Sequence, residues 1–357
     1  MSDGVSVTRG SSPGRALDLL ILSVLPLVVG HAWFVDEPFT ATLATRAAVL
    51  GLAGIGLNLA LGSGGLVSFG HAAFFGIGGY ALAILASHVQ DGAPLALGPF
   101  GFAGSDSMPV AWLVAVCAGA LAAWLIGVLS LRTSGAYFIL ITLAFGQMLY
   151  LFAVAWPAYG GEDGLVLYTR NTLGALRTMD PFVYFGIVYA LLCAVLAGVA
   201  AILRSAFGLA LEAVREAPAR VESLGIEPDR VRLVAFVISG AITALAGALF
   251  ADLNRFASPA MLGWQTSGEI MVFVILGGTG RLAGPLVGAG LFVLLEHVLG
   301  GTSEHWHLAL GAILLATVLF AGGGVLGALD RVRAVRPRSD GARTDGARTD
   351  GARSRHG

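Results

Sequence analysis

Apolar residues fill most of this chain in long stretches, which short polar or glycine-rich segments separate. A helix needs about 20 apolar residues to cross the roughly 30 Å hydrocarbon core of a bilayer. The pattern therefore predicts an all-α, polytopic transmembrane helical bundle of about ten spans, with eight or nine as the alternative. The predicted spans are residues 17–35, 41–61, 65–87, 109–131, 136–157, 181–203, 231–253, 267–280, 283–300 and 306–328.

Polar residues and glycines interrupt the apolar pattern at the end of the second predicted span and within the third. Residues 58–85 read NLALGSGGLVSFGHAAFFGIGGYALAIL and carry Asn58, Ser68 and His71 among glycines and alanines. An unpaired polar group in hydrocarbon costs several kcal/mol in order-of-magnitude terms, so it is tolerated where helices pack closely or line a cavity. Two interpretations stay open for these side chains: they line a transport path, or they form hydrogen bonds at a helix crossing.

A second interruption separates the eighth and ninth predicted spans, which are both short. Its nine residues, GGTGRLAGP, hold Gly277, Gly278, Gly280, Gly284 and Pro285. Glycine and proline at this density favour a change of chain direction, so we expect a tight turn or a hinge there. The two short spans are also compatible with a single hairpin that does not cross the membrane fully.

Composition supports the membrane assignment and excludes several functions. The 357 residues are 56% hydrophobic and 12% charged, against about 25% charged in typical soluble domains. All 21 basic residues are arginine, so the chain has no P-loop lysine and no lysine for Schiff-base chemistry. We expect no catalytic residues, no cofactor and no metal site; two histidines around Trp306 are interpreted as part of a polar loop.

The distribution of arginine predicts the topology. With ten spans and a cytoplasmic N-terminus, seventeen of the 21 arginines lie on the cytoplasmic side, which is the bias expected of inner-membrane proteins. Both termini are then cytoplasmic. The predicted organisation is an N-terminal segment at 1–16, a transmembrane domain at 17–330 and a disordered tail at 331–357, in which DGART repeats.

The predicted cytoplasmic loop at 204–230 alternates charged residues with alanine and leucine. Such alternation is typical of one or two short amphipathic helices at a membrane surface. Pro218 is expected to end or kink the first of them.

Four blocks of sequence, in order and at normal spacing, are similar to one known family. They lie at residues 56–85, 131–151, 204–251 and 269–291, and a short GGEDGL motif stands at 160–165. The chain resembles the permease subunits of branched-chain amino-acid ABC importers, in particular the M-type permease. The resemblance covers most of residues 40–300.

The resemblance implies a transport subunit without catalysis of its own, in the bacterial inner membrane. Its expected partners are a second homologous permease, two ABC ATPase subunits, a periplasmic substrate-binding protein and the lipid bilayer, and no nucleic acid. The resemblance also implies that the loop at 204–230 is the segment that couples to the ATPase. The candidate coupling residues are Phe207, Gly208, Glu212, Arg215, Glu216, Leu224 and Gly225; an ordinary solvated loop is the alternative.

The substrate path is the least determined feature. Its candidates are Asn58, Ser68 and His71, together with three residues of another span, Tyr137, Thr142 and Gln147. Arg46 lies inside the second span, where we expect it to reach for the membrane surface.

Three alternatives to this function stay open. The first is a urea or short-amide permease of the same family. The second is a self-sufficient secondary transporter or channel, which would use the broken segments itself but should show charged residues deep in its spans. The third is a membrane enzyme, for which no constellation of metal ligands or paired carboxylates stands out.

Overall fold

A computed structural model describes residues 12–90 and 104–300, together with residues 92, 95–97, 100–102 and a few positions between 308 and 327. Three regions named above lie wholly or largely outside this part of the chain. They are the tenth predicted span with the two histidines around Trp306, the tail at 331–357, and the first eleven residues of the N-terminal segment.

Helices dominate the described residues, and their bounds follow the apolar stretches of the sequence. The helices are α1 (Ser12–Val35), α2 (Pro38–Asn58), α3 (His71–Gln90), α4 (Met108–Ser130), α5 (Ala136–Val154), α6 (Pro181–Arg204), α7 (Ala206–Glu216), α8 (Pro218–Ser223), α9 (Pro228–Asn254), α10 (Trp264–Gly277) and α11 (Gly284–Gly300). A π-helical turn, Leu59–Ser63, extends α2.

Within the described residues, six helices are long and apolar enough to cross a membrane. They are α2 with its π-helical extension, α3, α4, α5, α6 and α9. Helices α10 and α11 have 14 and 17 residues, fewer than the 20 or so that a bilayer core requires, as the short eighth and ninth spans led us to expect. The chain is thus a helical membrane protein, and ten spans with cytoplasmic termini stay a prediction.

Helices α2, α3 and α9 form the centre of the bundle. Helix α9 packs against both α2 and α3, α4 also packs on α9, and α6 and α11 pack on α2. Helix α2 is buried on almost every side, whereas α4 and α5 turn many large apolar side chains outward. Apolar outward faces are what a helix in contact with lipid requires.

Close approach at the centre depends on small residues. A Cβ atom added to Gly78 of α3 would collide with the backbone of Ala244 in α9, and one added to Gly247 would collide with the carbonyl of Phe75. Glycine at both positions lets the two helix backbones approach each other, which is how membrane helices gain van der Waals contact.

Two short antiparallel strand pairs lie among the connections at one end of the bundle. Strands β1 (Leu95–Leu97) and β2 (Phe100–Phe102) form a hairpin. Strand β3 (Leu165–Val166) pairs with β4 (Phe256–Ala257), so the segment between α5 and α6 is tied to the end of α9.

The opposite end of the bundle carries α7 and α8, between α6 and α9. Of the one or two short helices predicted here, the structure has two, and the first ends before Pro218 as expected, since α7 ends at Glu216 and α8 begins at Pro218. Helix α7 buries Leu211 and Val214 toward the bundle. The pair therefore stands on the ends of the spans and leaves its other side exposed.

Candidate functional site

The interruption after α2 is a true break in the helical backbone. Residues 64–70 are not helical, and α3 begins at His71, six residues later than the span predicted at 65–87. Gly65 has a φ of +69°, a left-handed conformation that glycine adopts without steric cost. The π-helical turn just before it is a rare structure that is frequent at functional sites.

Hydroxyl groups from two other helices form hydrogen bonds with the backbone N–H and C=O groups of this break. Thr142 of α5 accepts a hydrogen bond from the amide of Phe69 at 3.2 Å. Ser267 of α10 donates to the carbonyl of Phe69 at 2.6 Å and accepts from the amide of Ala72 at 2.9 Å. Irregular backbone is stable at membrane depth only when its polar groups are paired in this way.

Ser68 contributes to the same break from within. It is fully buried, and its hydroxyl accepts a hydrogen bond from the amide of Gly70 at 3.2 Å. The geometry thus supports a structural interpretation for both Ser68 and Thr142. A role for either in the transport path stays a prediction.

His71 joins three helices through one hydroxyl group. The Ser239 hydroxyl of α9 donates to the carbonyl of Gly56 in α2 at 2.6 Å and lies 2.7 Å from Nε2 of His71. Because the single hydroxyl proton goes to the carbonyl, His71 must be the donor at Nε2. The histidine is fully buried, and its edge-to-face neighbours are Phe74 and Phe236.

Asn58 connects the end of α2 to the turn between α10 and α11. Its side-chain amide donates to the carbonyl of Arg281 at 2.8 Å, and its carbonyl oxygen accepts from the amide of Gly280 at 2.9 Å. The asparagine therefore acts as a bridge between two interruptions that are more than 200 residues apart in sequence.

The glycine-rich segment itself is a tight turn between two packed helices. Helix α10 ends at Gly277 and α11 begins at Gly284. Gly278 and Gly280 have φ values of +115° and +79°, which favour glycine. Gly277 and Gly284 also face each other so closely that a Cβ on Gly277 would collide with the Gly284 carbonyl; Pro285 follows in the first turn of α11. A hinge movement at this turn stays a prediction.

Two path candidates are not part of the cluster of polar residues around the break. Tyr137 is 72% exposed on the outward face of α5. Gln147 is half-buried on the same helix, and its side-chain nitrogen has no hydrogen-bond partner in the described part of the chain. Helix α5 therefore contributes Thr142 to the break but directs Tyr137 away from it.

The coupling candidates separate into an inward and an outward group. Arg215 donates a hydrogen bond to the carbonyl of Gly62 in the π-helical turn, and Gly208 is buried against the end of α6. Phe207 and Glu212 are half-buried, whereas Arg215, Glu216, Leu224 and Gly225 are exposed. Arg215 therefore combines an inward hydrogen bond with exposed surface.

Arg46 has a charged partner that the sequence did not indicate. Its guanidinium forms a salt bridge with Glu296 of α11 at 3.0 Å, and the two side chains are 34% and 24% exposed. The two residues are 250 positions apart in the sequence. Local sequence therefore could not identify Glu296 as the partner of Arg46, which only the fold brings close.

Sequence reasoning missed the two serines that hold the break, Ser239 and Ser267. Each lies in a largely apolar helix and is fully buried. An inventory of every polar residue inside the predicted spans would have named both as candidates, although it would not have paired them with His71 or Phe69.

An apolar cavity of about 240 Å³ lies apart from this cluster, between α3, α5 and the segment before α10. Its lining includes Ile77, Ile84, Phe152 and Trp156, and the hydroxyl of Tyr80 at its wall has no partner among the described residues. A dry cavity of about 150 Å³ accommodates benzene, so this one has room for an aliphatic side chain.

The sequence of the chain is similar to those of known transport permeases. Residues 39–321 match the family described as the permease component of branched-chain amino acid transport systems. The chain is 30% identical to the high-affinity branched-chain amino acid transport permease LivM of Escherichia coli (strain K12), over 89% of this chain and 76% of that protein. No solved structure matches the chain.

More distant similarity extends to two further permeases. LivH of the same Escherichia coli strain is 27% identical over 49% of this chain and 56% of its own length. The autoinducer 2 import permease LsrC of Enterobacter sp. (strain 638) is 30% identical over 63% of this chain and 66% of its own length. Since the family match spans most of the helical bundle, the chain belongs to the family of permease components of branched-chain amino acid transport systems.

Proposed function

We propose that this chain is a membrane-spanning subunit of an ATP-driven importer that carries branched-chain amino acids into a bacterial cell. It pairs with a second, related permease to enclose the path. Two separate ATPase subunits supply the energy, and a periplasmic binding protein delivers the cargo. Both chain termini and the α7–α8 pair lie on the cytoplasmic side of the inner membrane.

The observation that carries this proposal is the placement of α7 and α8. They form a short helical platform between two spanning helices, α6 and α9. Leu224 is 78% exposed just after α8, and Ile226 is exposed beside it. An apolar pair at the tip of a charged segment suits insertion into a groove of another protein, and a chain without lysine needs an external ATPase.

A self-sufficient transporter fits the same features less well. Such a protein needs charged or ion-coordinating groups along its path. Arg46 and Glu296 are charged residues of the helical bundle, but each neutralises the other. The fully buried Asp252 already accepts a hydrogen bond from the amide of Asn171 at the end of α9.

The cargo follows from the names of the relatives and from the apolar cavity. LivM, which matches 89% of this chain, is named for branched-chain amino acids. The cavity beside Tyr80 offers apolar walls to an aliphatic side chain, whereas urea or a short amide would require several polar partners. Autoinducer 2, for which LsrC is named, is a third cargo that the uptake assay must include.

Uptake of labelled cargo tests the proposal. The host is a strain that lacks this chain and keeps its partner subunits, and the substrates are leucine, isoleucine, valine, urea and autoinducer 2. We expect the restored chain to return ATP-dependent uptake of the three amino acids. Uptake of urea or autoinducer 2 alone would reject the proposed cargo, and uptake in vesicles without ATP would reject the ATP-driven class.

A variant at the platform tests the ATPase contact in the same strain. Leu224→Asp should abolish co-purification of the ATPase subunits while the chain remains inserted in the membrane, because a charge replaces the exposed apolar contact. Leu176→Asp is the matched control: Leu176 is also exposed, but it lies in the connection before α6 at the opposite end of the bundle. Equal ATPase capture by both variants would refute the contact at Leu224.

A further inference from the structure

The inward side of the platform contacts the π-helical turn Leu59–Ser63. Arg215 of α7 donates to the carbonyl of Gly62. A Cβ placed on Gly64 would lie 3.5 Å from Leu211, and one placed on Gly65 would lie 3.1 Å from the side chain of Arg215. Helix α7 thus rests directly on the turn and on the first residues of the break.

The carbonyl of Gly62 needs a hydrogen-bond donor from outside its own helix. The last carbonyls of a helix have no intrahelical donor, and a basic side chain can satisfy them. The helical pattern ends here with the bonds from the amides of Gly64, Gly65 and Leu66 to the carbonyls of Leu59, Leu61 and Ala60. Arginine is suited to the task, since its guanidinium presents several donors in a fixed plane.

The same turn is held from its other side. Asn58 precedes it and bonds to the backbone of Gly280 and Arg281, and Gly62 lies so near that an added Cβ would be 2.5 Å from the Asn58 oxygen. The turn therefore stands between α7 and the α10–α11 connection. The break that follows it is fastened to α5 and α10 instead.

We propose that Arg215 is a positioning residue that transmits displacement of α7 to the π-helical turn, and through the turn to the break at residues 64–70. Although Arg215 is exposed, it does this through its hydrogen bond to the carbonyl of Gly62 and not by holding the ATPase. The inference rests on the proposed function, because an ATPase must move α7. A rigid helix that shifts by a small amount moves the groups fixed to it, while the hydrogen bonds from α5 and α10 hold the far side of the break.

The first test separates assembly from coupling. The purified complex carrying Arg215→Gln should retain its ATPase subunits and hydrolyse ATP, while uptake per ATP falls about fivefold or more, the usual range for a lost coupling between sites. Arg215→Lys keeps one charged donor and should restore part of that ratio. Arg220→Gln is the matched control, since Arg220 is exposed on α8, and it should leave the ratio unchanged.

A second readout reports on the π-helical turn next to the break and is independent of uptake. Ser63→Cys, in a chain whose native Cys117 and Cys193 are replaced by serine, places one thiol at the end of the turn. With Arg215 intact, its labelling rate in the assembled complex should differ between the nucleotide-free and ATP-trapped states. With Arg215→Gln, the two rates should become equal.

The results for Arg215→Gln and for the unaltered chain distinguish failure of the inference from failure of the proposed function. Loss of the ATPase subunits from Arg215→Gln alone would make Arg215 a docking residue and overturn the inference, while the proposed function stands. Nucleotide-dependent labelling that persists in Arg215→Gln would overturn it too. If the unaltered chain captures no ATPase, the proposed function fails first, and that result is separate from any effect of Arg215.

Discussion

Ser239 of α9 lies 2.7 Å from the imidazole of His71 at the start of α3, and the same hydroxyl donates its proton to the carbonyl of Gly56 in α2. One side chain therefore joins the three central helices at the point where the third span begins. Since the buried hydroxyl has a single proton, it fixes which nitrogen of His71 carries a hydrogen. The helix after the break is thereby held in a defined position.

Loss of the Ser239 hydroxyl should destabilise the bundle. Ser239→Ala leaves a buried imidazole N–H without its partner, which costs about 1–3 kcal/mol, and removes one of the two donors to the Gly56 carbonyl. We expect a lower Tm in detergent. Thr243→Ala is the control one turn along the same helix, because the Thr243 hydroxyl donates only to the Ser239 carbonyl within α9. Equal shifts in the two variants would contradict the special role of Ser239.

A methyl group at the α3–α9 crossing should be poorly tolerated. Gly78→Ala places a Cβ against the backbone of Ala244, and overpacking of this kind costs about 1–3 kcal/mol. The yield of monodisperse protein in size-exclusion chromatography should fall. Gly198→Ala, in α6, meets no atom within 4 Å and should leave the yield unchanged. A normal profile for Gly78→Ala would mean that the two helices can separate without loss.

Removal of one donor at Asn58 should loosen the α10–α11 turn. Asn58→Asp keeps an oxygen for the amide of Gly280 but sets a second oxygen against the carbonyl of Arg281. We expect faster hydrogen exchange in residues 278–283 and reduced uptake. Thr45→Ala removes a buried hydroxyl of α2 that bonds only within that helix, so the same peptides should be unaffected. Unchanged exchange in Asn58→Asp would argue against the bridge.

The ion pair between Arg46 and Glu296 should show measurable coupling. A double-mutant cycle with Arg46→Gln and Glu296→Gln should yield an interaction of about 1 kcal/mol, within the range found for residues in contact. The free energy of unfolding in a mild denaturant series measures it. Additive effects of the two substitutions would indicate that solvent or lipid headgroups screen the pair completely.

The broad architecture is readable from the sequence, because hydrocarbon imposes a simple rule. Backbone polar groups in a membrane must be paired internally, so apolar stretches of sufficient length become helices. Helices α2, α4, α5, α6 and α9 follow their predicted spans to within three residues, whereas α3 begins six residues later than predicted. Pro218 and the glycine-rich segment at 277–285 interrupt the helices where they were expected to, since proline and glycine act through local backbone chemistry.

The tertiary structure decided what the polar residues do. The sequence marked Asn58, Ser68, His71 and Thr142 as unusual, but it could not distinguish a transport path from a helix crossing. That distinction depends on partners far along the chain: Gly280 for Asn58 and Ser239 for His71.

The sequence also could not predict which way each side chain faces around the axis of its helix. Tyr137 and Thr142 belong to one helix, yet one faces outward and the other braces the break. Arg46 and Arg215 each have a partner that the sequence did not indicate, Glu296 for the first and the carbonyl of Gly62 for the second. Local composition determines that a segment is a helix in a membrane, whereas the packing of helices determines which polar group meets which.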